Sequence, residues 1–104
     1  MLTGKQKRYL RSLAMTQKPL INVGKNGLTT QFAQGVADVL EPREMVKIAL
    51  LPSAEETPAM VADFLAEALP GLEVAQIIGR TLVVFRPAEQ EKHRKLSLEV
   101  AKRG

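Results

Sequence analysis

The chain has 104 residues, 45% of them apolar, and its 15 Lys and Arg against 11 Asp and Glu give a formal net charge of +4. This length suits one domain with one modest core, and no apolar stretch approaches the ~20 residues of a membrane span. The absence of cysteine excludes disulfides and thiolate metal sites and favours a reducing, cytoplasmic compartment, while a single histidine, His93, argues against a histidine metal site.

The first predicted element is a helix over about residues 4–14. Thr3 and Gln6 have the spacing of a capping box at its start. At the helical period one face collects Leu2, Gln6, Tyr9, Leu10 and Leu13. The opposite side and its flank collect the cations Lys5, Lys7, Arg8 and Arg11. This helix is therefore predicted to pack by one side and to present a cationic side to solvent.

A short strand is predicted from Pro19 to Val23, where a G-x-x-G turn interrupts it. A second helix then begins at a cap on Thr29 or Thr30 and runs to about Leu40, before Pro42 stops it. Gly35 inside this helix costs about 1 kcal/mol relative to alanine, so we expect it to pack closely against the sheet.

The second half of the chain predicts a strand, a third helix and a hairpin. Met45 to Leu51 is a mostly apolar run typical of a buried strand. The third helix is predicted to start at a Ser53–Glu56 capping box, with Pro58 in its first turn, and to end near Leu69. Two strands, Leu72 to Ile78 and Thr81 to Arg86, flank a two-residue turn at Gly79-Arg80. Residues 87–104 are polar and charged, and predict either a frayed helix or a disordered basic tail.

The element order α-β-α-β-α-β-β predicts an α/β fold, a two-layer sandwich with a four-stranded mixed sheet. Right-handed crossovers would place the second and third helices on one face of the sheet. If the first three strands are parallel, the G-x-x-G turn and the Gly79-Arg80 turn lie at one edge. That edge holds the carboxyl ends of the strands, where ligands tend to bind in α/β folds.

The charges are unevenly distributed along the chain. Residues 1–37 contain six cations and no acid, residues 38–79 contain two cations and eight acids, and residues 80–104 contain seven cations and three acids. This pattern predicts a basic front and an acidic back, and such a field attracts polyanions to one side.

The G-x-x-G turn at Gly24-Lys25-Asn26-Gly27 has the chemistry of a phosphate contact. Glycines accept positive φ and allow close approach of another backbone. The turn leads into a helix N-terminus, whose free N–H groups favour phosphate. Lys25 adds a charge, and Asn26 can donate hydrogen bonds. The alternative interpretation is a tight strand-to-helix turn without a ligand. The patterns of P-loops and dinucleotide-binding folds are missing.

Four stretches in order resemble the CRM (YhbY-like) family of RNA-binding domains. They are Leu2 to Ala14, Lys18 to Thr29, Glu44 to Ile48 and Gln76 to Pro87. The resemblance spans about residues 2–87 and implies a compact α/β domain similar to the C-terminal domain of bacterial translation initiation factor three. Residues 88–104 would form a charged C-terminal tail. Stand-alone bacterial members of this family are associated with precursors of the large ribosomal subunit.

The resemblance implies a non-catalytic, monomeric RNA-binding protein that binds rRNA of large-subunit precursors and needs no cofactor, metal or small-molecule substrate. The RNA-binding residues expected from it and from the charge pattern are Gly24, Lys25, Asn26, Gly27, Lys5, Lys7, Arg8, Arg11, Lys18 and Arg80. For Arg80, a solvated turn residue is the alternative.

Two other functions are compatible with the sequence. One is a protein-interaction or translation-factor-like module that docks on a ribosomal protein through acidic residues, namely Glu55, Glu56, Asp63 and Glu67. The other is a small nucleotide hydrolase. The residues disfavour it, because His93 is the one side chain that ordinarily titrates near neutral pH and no carboxylate pair has metal spacing.

Overall fold

A computed structural model describes residues 1–104 as four α-helices and a four-stranded mixed sheet, which confirms the predicted α/β class. The helices are α1 (Gly4–Ala14), α2 (Thr30–Arg43), α3 (Pro58–Ala68) and α4 (Leu96–Lys102). The strands are β1 (Ile21–Val23), β2 (Met45–Leu50), β3 (Glu73–Ile78) and β4 (Thr81–Phe85). A short 3-10 helix, Glu91–His93, precedes α4.

The sheet has the order β1-β2-β4-β3. β1 pairs parallel with β2, and β4 pairs antiparallel with both β2 and β3. β3 therefore runs in the same direction as β1 and β2, and these three strands end at one side, the carboxyl edge. Ile78 pairs with Thr81, which confirms the two-residue hairpin at Gly79-Arg80.

The two faces of the sheet carry different helices. α2 and α3 cover one face, as predicted, and their main core contains Val23, Ala33, Val36, Leu40, Val46, Ile48, Leu50, Val61, Ala62, Leu65, Leu69, Leu72, Leu82 and Val84. α1 and α4 lie over the other face, where Leu10, Met45, Val83, Phe85 and Val100 are buried together. The sheet therefore has helices on both faces, so the fold has three layers and not the two that the sequence predicted.

The start of α1 agrees with its local signal. The hydroxyl of Thr3 accepts a hydrogen bond from the N–H of Gln6 at 3.1 Å, and the Gln6 side chain accepts one from the N–H of Thr3 at 2.8 Å. This capping box gives hydrogen-bond partners to the N–H groups of Thr3 and Gln6, which have none within the helix. Helix α1 spans the predicted residues because this signal is local.

Three local predictions in α2 and α3 are wrong. Pro42 lies inside the last turn of α2 and does not stop it, because the helix continues to Arg43 and ends at Glu44, whose backbone is left-handed with φ +65°. Gly35 is exposed, and a Cβ added to it would meet no atom within 4 Å, so close packing does not explain it. The cap of α3 is Thr57, which accepts from the N–H of Met60 at 3.2 Å, and not Ser53.

Two glutamates at the end of α2 hold residues 88–104, here named the C-terminal segment. Glu44 is 1% exposed and accepts hydrogen bonds from the N–H groups of Ala88 (2.8 Å), Lys95 (2.8 Å) and Ser97 (3.1 Å). The carboxylate of Glu41 accepts from two further N–H groups and pairs with His93 Nδ1 at 2.6 Å. We name these two carboxylates the glutamate clamp, and they fix a segment whose sequence left helix and disorder open.

The hydrogen bonds of the glutamate clamp lower the pKa of both carboxyls. For Glu41, the His93 side chain and then the N–H groups of Glu89 and Gln90 lower the pKa to about 2. For Glu44, burial alone would raise the pKa, but hydrogen bonds from Ser97, Ala88 and Lys95 together outweigh burial and lower it. Both glutamates are therefore anions in the folded protein at neutral pH.

Candidate nucleic-acid interface

The G-x-x-G loop, Gly24 to Gly27, follows β1 at the carboxyl edge and leads into α2. The N–H of Gly27 donates to the carbonyl of Gly24 at 3.1 Å, which closes the turn. Thr29 caps α2 by accepting from the N–H of Phe32 at 3.0 Å. Lys25 and Asn26 are exposed. The four loop residues line one shallow hollow with Asn22, Thr29, Gln31 and Phe32. The hollow has one cation and no acid, and it lies beside a helix N-terminus that favours anions.

The two glycines of this loop have different requirements. Gly27 has φ +70°, and a Cβ there would lie 2.9 Å from Glu56 Oε2. A Cβ on Gly24 would meet Leu51 and Ser53 at 3.6 Å, an ordinary contact distance. The backbone therefore requires glycine at position 27 and tolerates a small side chain at position 24.

Arg80 lies at the same edge, as the topology predicted, but its guanidinium is engaged within the protein. Arg80 Nε donates to the carbonyl of Leu50 at 3.3 Å, and Nη2 donates to the carbonyl of Leu51 at 2.8 Å. Leu51 and Ser53 are the neighbours of Gly24. Arg80 thus holds the loop after β2 beside the G-x-x-G loop, while its side chain remains exposed and none of these bonds uses Nη1, so a contact of Arg80 with RNA stays a prediction.

The cationic side of α1 faces solvent as predicted. Lys5, Lys7, Arg8 and Arg11 are exposed, and none of the four forms an ion pair with an acid. Lys5 and Arg8 line a second hollow together with Tyr9, Ser12 and Arg103 of the C-terminal segment. Lys7 and Arg11 do not line it. The structure therefore brings only part of the predicted basic helix into one concave surface.

Lys18 lies at a third place, in a groove that it shares with Leu13, Gln17, Leu20, Arg43, Met45 and Leu96. The sequence alone did not mark Arg43 or Arg103 as neighbours of the predicted RNA-binding cations. For Arg103, the spacing of Leu96 and Val100 was the available signal, since apolar residues four apart predict one face of a helix that packs on the domain.

The predicted separation of a basic front from an acidic back needs correction at three acids. Glu41 and Glu44 bind backbone N–H groups of the C-terminal segment and are not part of a solvated acidic surface. Glu56 lies against Gly27, at the loop itself. The basic surface near the loop therefore includes one carboxylate, while α1 has none of its own.

The remaining side chains do not assemble a metal site, because no group of three or more His, Cys, Asp or Glu residues is placed to hold an ion. None of the helices has the length and apolarity needed to span a membrane.

Comparison with known proteins gives a consistent result over most of the chain. Residues 2–86 match the model of the CRS1 / YhbY (CRM) domain. The chain is 38% identical over 92 residues to "Probable RNA-binding protein YqeI" of Bacillus subtilis, a match that covers 88% of this chain and 95% of that protein. It is 31% identical over 91 residues to an RNA-binding protein of Haemophilus influenzae, with 88% and 91% coverage.

A solved structure shares the fold. The solution structure of the hypothetical protein SAV1595 from Staphylococcus aureus superposes with a TM-score of 0.70 at 38% sequence identity, covering 91% of this chain and 98% of that one. The family match ends at residue 86, so the C-terminal segment lies outside it.

Proposed function

Because the chain belongs to the CRS1 / YhbY (CRM) domain family, we propose that it is a non-catalytic RNA-binding protein that contacts phosphates through the G-x-x-G loop and the basic side of α1. The observation that carries this proposal is the loop geometry. An exposed Lys25 stands beside the N-terminus of α2 in a hollow whose lining residues include no acid, although the carboxylate of Glu56 lies close behind Gly27. The names of the relatives in Bacillus and Haemophilus support RNA as the ligand.

Binding of this kind is dominated by phosphate contacts. Lys25 and the first N–H groups of α2 would hold one stretch of backbone, and the α1 cations would hold another. Such contacts release counterions and carry little sequence information. The affinity should therefore fall steeply with salt, and preference among RNAs should come mainly from RNA shape.

Replacing Lys25 and Arg8 together by alanine is expected to weaken RNA binding about tenfold near 0.1 M salt, across RNAs of different sequence. The reason is the loss of two phosphate contacts from the exposed surface. Fluorescence anisotropy with labelled single-stranded RNA measures the effect. The matched control removes the exposed Lys92 and Lys102, two charges outside the proposed surface. Equal weakening in both double variants would contradict the proposal, since only net charge would then matter.

The RNA that we propose is rRNA of precursors of the large ribosomal subunit, bound in the cytoplasm. The support is the resemblance to stand-alone bacterial members of the family. Sedimentation of a cell lysate through a sucrose gradient tests it. Co-migration with large-subunit particles at low salt, lost at high salt, is the expected result. A protein that stays at the top of the gradient at low salt would leave a general RNA-binding protein and exclude stable association with the subunit.

A further inference from the structure

The C-terminal segment forms part of the surface that carries the basic helix. Val100 of α4 is buried with Leu10 and Ala14 of α1. The side chain of Gln6 donates to the carbonyl of Val100 at 3.1 Å. Together with the glutamate clamp, these contacts fix α4 beside α1. Cations on α4 therefore have a defined place next to the cations of α1.

Arg103 lies over an aromatic ring. Its Cζ is 3.9 Å from the centroid of the Tyr9 ring, a cation–π geometry. Arg103 forms no ion pair, whereas the neighbouring Lys102 pairs with Glu99 at 3.6 Å. The ring thus contacts the guanidinium, and no acid pairs with its N–H groups.

An open hollow surrounds Arg103 and Tyr9. Its lining consists of Lys5, Arg8, Tyr9, Ser12 and Arg103, three cations without a carboxylate. Ser12 lies in the last turn of α1 and is uncharged. Its hydroxyl donates to the carbonyl of Tyr9 at 2.6 Å. The three exposed cations raise the local positive potential, which favours the binding of an anion. We name this hollow the α1–α4 cradle.

We propose that the α1–α4 cradle binds a backbone phosphate of single-stranded RNA, with Arg103 as the donor contributed by the C-terminal segment. This inference rests on the proposed function and extends it to residues outside the family match. A phosphodiester suits the cradle because a guanidinium edge can donate two parallel hydrogen bonds to phosphate oxygens. Lys5 and Arg8 add charge from α1. The RNA path then includes the α1–α4 side of the domain as well as the G-x-x-G loop.

Arg103→Ala is expected to weaken binding of single-stranded RNA about fivefold near 0.1 M salt and to reduce the salt slope by about 0.7, the value for one contact to a single strand. Arg103→Lys keeps the charge and loses the planar edge, so it should lie between wild type and Arg103→Ala. Lys102→Ala is the matched control on the same turn and should bind as wild type does.

NMR of the tyrosine ring distinguishes failure of the cradle from failure of the proposed function. Tyr9 is the only tyrosine in the chain, so its ring signals report on the cradle alone. We expect these signals to move when short single-stranded RNA is added to the full chain. Binding of RNA with unmoved Tyr9 signals and an unaffected Arg103→Ala variant would overturn the cradle and leave the proposed function standing. A wild-type chain that binds no RNA would overturn both.

Discussion

Replacing Glu44 by alanine is expected to lower the free energy of unfolding by roughly 3 kcal/mol and to release the C-terminal segment. The carboxylate is buried and accepts from three backbone N–H groups of that segment, and hydrogen bonds to charged groups contribute about 1.5–3 kcal/mol each. Part of this loss is recovered when the released N–H groups bind water. Chemical denaturation measures the stability, and hydrogen exchange at Lys95 and Ser97 measures the release.

A matched control for this variant is Glu91→Ala. Glu91 belongs to the same segment, but its side chain is exposed and forms no ion pair. Surface substitutions of this kind change the free energy of unfolding by about 0.5 kcal/mol or less. If Glu44→Ala were no more destabilising than Glu91→Ala, or if the two amides stayed protected, the role assigned to Glu44 would be wrong.

The same clamp predicts release of the C-terminal segment in acid. Both glutamates have a lower pKa in the folded protein than in the unfolded chain, where the usual value is 4.5. The unfolded or detached state therefore binds more protons in acid. The stabilisation is complete above about pH 4.5 and is lost as the pH falls towards 2, the pKa of Glu41. NMR signals of α4 followed from pH 6 to pH 2 test this, and the double variant Glu41→Gln, Glu44→Gln should lack the transition.

Gly27→Ala is expected to destabilise the protein by about 1–2 kcal/mol and to weaken RNA binding. The φ of +70° is costly for any residue with a Cβ, and the new methyl group would press on the carboxylate of Glu56. Glu56 can move because its side chain is flexible, but the backbone penalty remains. The loop would relax away from the shape that presents Lys25. Denaturation and RNA titration measure the two effects.

Two other glycines provide controls for the loop. Gly24→Ala places its methyl group at ordinary contact distance and should change stability little. Gly35→Ala points into open space within α2 and should stabilise the protein by about 0.5–1 kcal/mol. Equal effects of Gly24→Ala and Gly27→Ala would show that the positive φ of Gly27 is not needed for the loop.

The features that the sequence predicted well depend on neighbouring residues. The Thr3 capping box and the Gly79-Arg80 hairpin each need only a few adjacent positions. The cap of α3 was misplaced because Ser53 and Thr57 both have the required hydroxyl, but Pro58 suits the first helical position and makes the preceding Thr57 the cap.

The features that escaped prediction depend on contacts between distant residues. Glu44 binds amides more than 40 residues away, and Arg80 bonds to carbonyls 30 positions earlier. The stack of Arg103 on Tyr9 joins opposite ends of the chain. For the candidate site, topology was sufficient to place the G-x-x-G loop and Arg80 at one edge. No pattern of neighbouring residues predicts which carbonyl groups accept hydrogen bonds from the guanidinium of Arg80.

The place of β4 between β2 and β3 bears on how the chain folds as it is synthesised. Residues 81–85 are the last strand to leave the ribosome, so β2 and β3 both keep an unpaired edge until then. Arg80, which anchors the loop beside Gly24, arrives with that strand. Although the G-x-x-G loop is made in the first third of the chain, its support is therefore complete only after most of the domain has been translated. The edge that carries the G-x-x-G loop is thus assembled late, in the same step that closes the sheet.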